Sequence, residues 1–267
     1  MLGSMLAQVF ASNNPTLWDR EDIDITDAAT TSEMIRQLMP EVIINAAAFT
    51  DVDGAETKRD AAFAVNEHGV HNLAVAAKAV NAALVHYSTD YVFPGTQAEG
   101  YGEDDATGPA VNVYGQSKLA GEKALLAVAP TFYLLRTAWL YGPNGKNFVD
   151  TMLQLAHKGK PVKVVNDQFG SPTFTKDVAN VTREILKGDF APGIYHTVNQ
   201  GRASWFDFAQ QIFTAAGAKV DVQPVASTEF PRPAKRPKYS MLKDTKGLGL
   251  RPWQEALNEY ITSYFHT

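Results

Sequence analysis

The chain has 267 residues, 45% of them hydrophobic and 20% charged, with a formal net charge of −5. That is the composition of a globular protein, and the acidic balance leaves no electrostatic footprint for nucleic acid or for an anionic membrane. There is no cysteine, which excludes disulfides and thiolate zinc sites, and no uncharged run is long enough to span a membrane.

In chain order, Leu2, Met5, Leu6, Val9 and Phe10 recur at helical spacing and predict a helix over 2–11. Residues 16–18 then read as a short strand that ends at Asp19 and Arg20. In a dinucleotide fold an acid after the second strand can meet a ribose and an arginine can meet a 2′-phosphate, so this pair points both ways. The plainer reading of this stretch is a solvated loop and a helix cap at Thr26 or Asp27. A helix over 30–38 stops at Pro40. Residues 42–45 read as a buried strand opening into Ala46, Ala47 and Ala48, whose small side chains suit either a close ligand or tight helix packing. Asp51, Asp53 and Glu56 form an acidic cluster, and His68 and His71, three apart, read as helix surface rather than as metal ligands.

A long Ala-rich helix over 59–81 leads into the central stretch. There Leu84, Val85 and Tyr87 form an apolar strand that stops at Ser88, Thr89 and Asp90, the edge at which open parallel sheets bind ligands. The next helix, 113–128, carries Tyr114 and Lys118 four apart on one face. A phenol with a pKa of about 10 exchanges protons poorly near neutrality, and a neighbouring ammonium favours its phenolate. Thr89 is placed to hydrogen-bond the same substrate oxygen. Tyr239 and Lys243 share the spacing but follow a proline-rich segment and no strand, so they read as a chance match.

Further strands over 132–136, 162–165 and 193–198 alternate with helices over 147–158 and 175–186, and segments 204–216, 221–224 and 253–265 complete a smaller C-terminal lobe. The alternation predicts an α/β fold, a Rossmann-like doubly wound parallel sheet. Gly159, Gly188 and Gly217 read as helix C-caps, and Gly247-Leu248-Gly249 lacks the strand a dinucleotide loop requires. The basic, proline-rich stretch 230–238 reads either as a stiff linker or as a guanidinium presented to a diphosphate.

Ser88-Thr89-Asp90-Tyr91-Val92-Phe93, followed by Val113-Tyr114-Gly115-Gln116-Ser117-Lys118-Leu119-Ala120-Gly121-Glu122, resembles the extended short-chain dehydrogenase/reductases, and among them the dTDP-4-dehydrorhamnose reductase family. Segments 45–53, 136–141, 166–173 and Arg236-Pro237 extend the likeness from Gly3 nearly to the C-terminus. The resemblance implies reduction of the C4 keto group of dTDP-4-dehydro-L-rhamnose by NADPH or NADH in the cytoplasm, with Thr89, Tyr114 and Lys118 catalytic. It places Gly3, Asp19, Arg20, Asp24, Ile25, Ala47, Ala48 and Phe49 at the cofactor, with Tyr114 and Lys118. It places Thr89, Asp90, Trp139 and Arg236 at the dTDP-sugar substrate.

By the same resemblance, residues 1–137 with about 175–198 form the nucleotide-binding domain, and about 138–174 with 199–267 the substrate lobe. A homodimer is in keeping with the family. No metal is expected, since Met5 stands where some relatives carry a metal-binding acid. The related dehydratases carry an Asp-Glu pair after the strand threonine, whereas Asp90 here precedes Tyr91. A non-catalytic, cofactor-binding regulatory subunit, like that of methionine adenosyltransferase, stays open as the second reading. Family members begin with a strand and a Gly-x-x-Gly-x-x-Gly turn, and Met1-Leu2-Gly3-Ser4 resembles the end of it. The expectation is a shortened chain with two exposed strand edges and weak cofactor binding.

Overall fold

A computed structural model describes residues 1–128, 130–158 and 160–265, so the cap expected at Gly159 lies outside the described residues. The order is α1 (Leu2–Val9), α2 (Ala28–Leu38), β1 (Val42–Asn45), α3 (Val52–Ala55), α4 (Arg59–Phe63), a π-helical segment (Ala64–Gly69), α5 (Val70–Ala79), β2 (Ala83–Thr89), a 3-10 turn (Asp90–Val92), α6 (Val113–Val128) and β3 (Phe132–Thr137). It continues with β4 (Leu140–Tyr141), α7 (Phe148–Ala156), β5 (Val162–Val165), β6 (Phe169–Gly170), β7 (Thr173–Phe174), α8 (Thr175–Glu184), β8 (Gly193–His196), β9 (Ala203–Ser204), α9 (Trp205–Ala215), β10 (Val222–Val225) and α10 (Trp253–Phe265).

Strands β1, β2, β3 and β8 form one parallel sheet in that spatial order. Side chains alternate across it with the period of two that extended backbone imposes. Val85, Tyr87, Tyr133 and Leu135 meet Met5 and Leu6 of α1 and Val178 of α8 on one face. Leu84 and Leu134 meet Ile35, Val70, Leu73 and Leu125 of α2, α5 and α6 on the other. The sheet is therefore doubly wound, as its alternation predicts. A separate core of Tyr141, Phe174, Phe208, Ile212, Trp253 and Tyr260 is built by α7, α9 and α10 with the short strands around them.

Local chemistry sets several boundaries. Asp27 caps α2, its carboxylate accepting the amides of Ala29 and Thr30. Ser204 and Asp207 form a reciprocal capping box at α9. Gly188 and Gly217 have positive φ at helix ends, as C-caps do.

Two expectations need correction. Residues 16–18 form no strand: positions 11–22 are exposed, and Leu17 is 62% accessible. An extended segment gains ladder hydrogen bonds only from a neighbouring strand, and among the described residues none lies beside it; β1 is likewise unpaired on its outer side, with Val42 exposed. One strand edge is thus open there rather than two. The helix expected over 59–81 runs without interruption through α4, the π segment and α5, and the π segment holds Asn66 inward. Asn66 is 1% exposed, accepts the Phe49 amide at 2.9 Å and donates to the Phe49 carbonyl and the Ser117 hydroxyl. Gly121 lets α6 come this close, since a Cβ there would lie 1.9 Å from the Asn66 carbonyl oxygen.

Beneath the C-terminal edge of the sheet lies a buried ionic network. Arg136 on β3 donates from Nε and Nη2 to both oxygens of Glu122 on α6, at 3.0 and 2.9 Å, with both side chains inaccessible. Ser88 donates to the same carboxylate, and Arg136 also reaches the Glu103 carbonyl. The Glu103 carboxylate accepts the His196 amide and the Thr245 amide and hydroxyl.

Removing one partner of such a pair strands a buried charge. Glu122→Gln is expected to lower unfolding free energy by about 3–5 kcal/mol, read from urea denaturation; a loss under about 1 kcal/mol would show that the guanidinium finds other compensation. A second expectation concerns acid. Burial depresses His196 to about 4, so it folds neutral while the unfolded chain binds a proton below its ordinary 6.5. Its contribution is complete above the unfolded value and is lost as pH falls from 6.5 towards 4. His86 shifts the same way and Asp90 the opposite way, so the measure is a difference: His196→Asn should lose less stability than the parent across that window, and equal losses would contradict it.

Candidate active site

Thr89 ends β2, and the 3-10 turn after it places Asp90 and Tyr91 beside it. Tyr114 enters from the first turn of α6, its ring edge-on to Tyr91 at 5.9 Å. Thr89 donates to Asp90 Oδ1 at 2.8 Å. Thr89, Asp90, Tyr91 and Tyr114 line a cavity of about 530 Å³ together with Trp139, Trp205 and Arg236. Burial pushes the Tyr114 phenol up to about 12, a rise that the Thr89 hydroxyl opposes and the Asp90 charge adds to. Burial likewise lifts Asp90 to about 7 against the pull of the Ser240 and Thr89 hydroxyls.

Lys118 lies one helical turn behind Tyr114 and is 2% exposed. Its Nζ donates to the Tyr87 carbonyl at 2.6 Å and sits 3.4 Å from His86 Nε2. Burial lowers Lys118 to about 8, with Glu122 opposing. The expected depression of the phenol by this lysine is not what governs Tyr114 in this state, where burial, Thr89 and Asp90 set its titration.

On the far wall Trp139 stacks on Trp205 with centroids 3.5 Å apart. Trp139 has φ of 45°, a left-handed backbone that a bulky residue adopts only under constraint. The constraint is visible: Thr173 N–H donates to its carbonyl, and its indole lies where a Cβ on Gly170 would come within 2.3 Å. Gly170, within the segment 166–173, therefore leaves room for this indole. Arg236 donates from both terminal nitrogens to Asp53, in the first turn of α3, and Arg232 approaches the same carboxylate at 3.6 Å. That pairing holds the Asp53 carboxyl below its ordinary range.

The residues expected at a cofactor divide. Ala47, Ala48 and Phe49 lie at the C-terminal end of β1, with Ala47 exposed and the Phe49 amide held by Asn66. Gly3 in the first turn of α1 adjoins Ala46, and Met1, at the N-cap, forms no side-chain capping bond. Open helical amides beside small strand-end residues suit an anionic dinucleotide. Ile25 is 9% exposed and packs with Ile35 and Leu73, while Asp24 is spent on the Thr26 amide and hydroxyl. Asp19 and Arg20 sit on the exposed loop, Asp19 accepting the Glu21 amide. The matching pair Tyr239 and Lys243 lies in extended chain, where residues four apart are not brought together as on a helix.

Sequence reasoning missed His86, Trp205, Arg232 and the partnership of Asp53 with Arg236. His86 and Asp53 carried a signal, since each falls inside or beside a family-like motif; Trp205 reads only as the first residue of a capped helix.

The family model described as RmlD substrate binding domain matches residues 1–265. A dTDP-4-dehydrorhamnose reductase of Mycolicibacterium smegmatis is 44% identical over 98% of this chain and 83% of its own length. The crystal structure of the Bacillus anthracis dTDP-4-dehydrorhamnose reductase in complex with NADP superposes with a TM-score of 0.93 at 38% identity, covering 98% of this chain and 95% of that one. That of a Clostridium acetobutylicum dTDP-4-dehydrorhamnose reductase gives 0.94 at 42% identity over the same shares. With this match along nearly its whole length, the chain belongs to the dTDP-4-dehydrorhamnose reductase family.

Proposed function

We propose that this protein reduces the C4 keto group of dTDP-4-dehydro-L-rhamnose to give dTDP-L-rhamnose. The observation that carries the reading is the convergence of Thr89 and Tyr114 on one cavity at the sheet edge, with Lys118 buried behind them. NADPH or NADH, when bound, supplies the hydride. Tyr114 gives its phenolic proton to the carbonyl oxygen as that oxygen gains negative charge. Its raised pKa keeps it protonated, and so an acid, throughout the neutral range. Thr89 orients the same oxygen. Lys118, when charged, stabilises the phenolate left behind.

The stacked Trp139 and Trp205 offer a flat apolar wall for a deoxysugar ring. Arg236, aided by Arg232 and by Lys163 on the cavity rim, meets the diphosphate by exchanging Asp53 for phosphate oxygens. Residues 1–137 with 175–198 are assigned to the cofactor and 138–174 with 199–267 to the sugar nucleotide, a division supported by the separate cores. Residence in the cytoplasm is supported by the cysteine-free sequence, and a homodimer by the family resemblance alone.

The test is NAD(P)H oxidation with dTDP-4-dehydro-L-rhamnose. Cofactor binding without turnover would overturn the reading in favour of a regulatory subunit. Tyr114→Phe should cut turnover by about 10²–10⁴-fold in a folded protein, whereas Tyr239→Phe should leave it nearly unchanged. Arg236→Ala should raise KM by about 10–100-fold, the worth of a charge-assisted hydrogen bond, with a smaller change in kcat. Unaltered affinity by calorimetry would return Arg236 to a purely structural pairing with Asp53.

A further inference from the structure

The contacts behind the catalytic lysine contain a conflict of protons. Asn45, at the end of β1, accepts the Ala47 amide on its Oδ1 at 3.0 Å. A backbone N–H only donates, so the carboxamide orientation is determined, and its NH₂ group faces His86 Nδ1 at 3.0 Å. His86 Nδ1 must then accept, which puts the imidazole proton on Nε2. That N–H points at Lys118 Nζ, 3.4 Å away. An ammonium has three donors and no lone pair, so it cannot accept. A neutral amine can, while still donating to the Tyr87 carbonyl.

The pattern is complete only with Lys118 uncharged. His86 is fully buried, so these groups are held in a low-dielectric interior. Burial lowers both His86 and Lys118, the latter to about 8, so the two are neutral together above that pH. On its own helix Tyr114 and Glu122 lie one turn to either side of Lys118, and the turn that carries Asp90 and Tyr91 packs on the same helix. Glu122 is committed to Arg136 and Ser88. The π segment meets α6 through Asn66 at Ser117, and α4 meets it through Arg59 at Gln116.

We propose that Asn45 and His86 are positioning residues that couple the Ala47 amide to the charge on Lys118. The coupling rests on the reductase reading and adds a relay to it. While Ala47 N–H is held by Asn45, Lys118 is a neutral amine. When that N–H is taken by an acceptor on a bound cofactor, Asn45 is released to turn its oxygen towards His86. His86 then carries its proton on Nδ1 rather than Nε2, with no change in its own charge. Nε2 becomes an acceptor, and Lys118 takes one proton from solvent. The ammonium that Tyr114 needs is thus assembled when the cofactor edge is occupied.

Nitrogen-15 NMR of the histidines in the cofactor-free protein, recorded above pH 8 so that Lys118 is deprotonated, reads the tautomer directly. The expected result is neutral His86 with its proton on Nε2. Asn45→Asp, whose carboxylate accepts from Ala47 and His86 at once, should move that proton to Nδ1. A wild-type proton on Nδ1, or no change in Asn45→Asp, overturns the proposal. Calorimetric titration with NADPH in buffers of different ionisation enthalpy, at the same pH, gives the second readout. Wild type should take up about one proton on binding and Asn45→Asp close to none. Equal uptake overturns the coupling while leaving the reductase reading intact; absence of NADPH binding to wild type overturns both.

Discussion

The buried pair of Arg136 and Glu122 is the contact on which the geometry of this protein depends. It ties β3 to α6 across β2, and Ser88 adds a third tie from β2 itself. Those bonds set the rotation of α6 about its axis, and one face of that helix carries Tyr114, Lys118 and Glu122. A helix held at its third turn by a bidentate guanidinium delivers its first turn to the end of β2. The same guanidinium reaches the Glu103 carbonyl, and Glu103 holds Thr245 near the C-terminus, so sheet, helix and C-terminal segment share one polar centre. Apolar contacts would permit sliding, whereas these directional bonds do not.

Around that centre the cavity draws on separate cores. Tyr114 and Thr89 come from the sheet side, and Trp139 and Trp205 from beside the aromatic core of α7, α9 and α10. The left-handed backbone at Trp139 is where the chain passes between them. Its cost is of the order of 1–3 kcal/mol and is offset by the packing of the indole on Trp205 and Gly170. Arg236, which lines the cavity, is paired with Asp53. Its charge is thereby kept paired rather than exposed.

Burial runs through the chemistry. Tyr114, Asp90 and Lys118 are each pushed towards their neutral forms by loss of water. A charge on Lys118 therefore has to be supported by its neighbours rather than by solvent, and Glu122 opposes its loss.

The sequence by itself determined the parallel doubly wound class, since strand apolarity and helix caps are local properties that survive without knowledge of neighbours. It also determined Tyr114 and Lys118 as a pair, because i,i+4 spacing on a helix is settled by helical geometry alone. Thr89 followed from the point at which β2 turns polar. Three features were decided only by tertiary structure. Residues 16–18 have strand composition, yet a strand exists only beside another strand. Asp53 and Arg236 are 183 positions apart, and no periodicity connects them. The protonation of Lys118 depends on which way the Asn45 carboxamide faces, and that orientation comes from a backbone N–H presented by the fold.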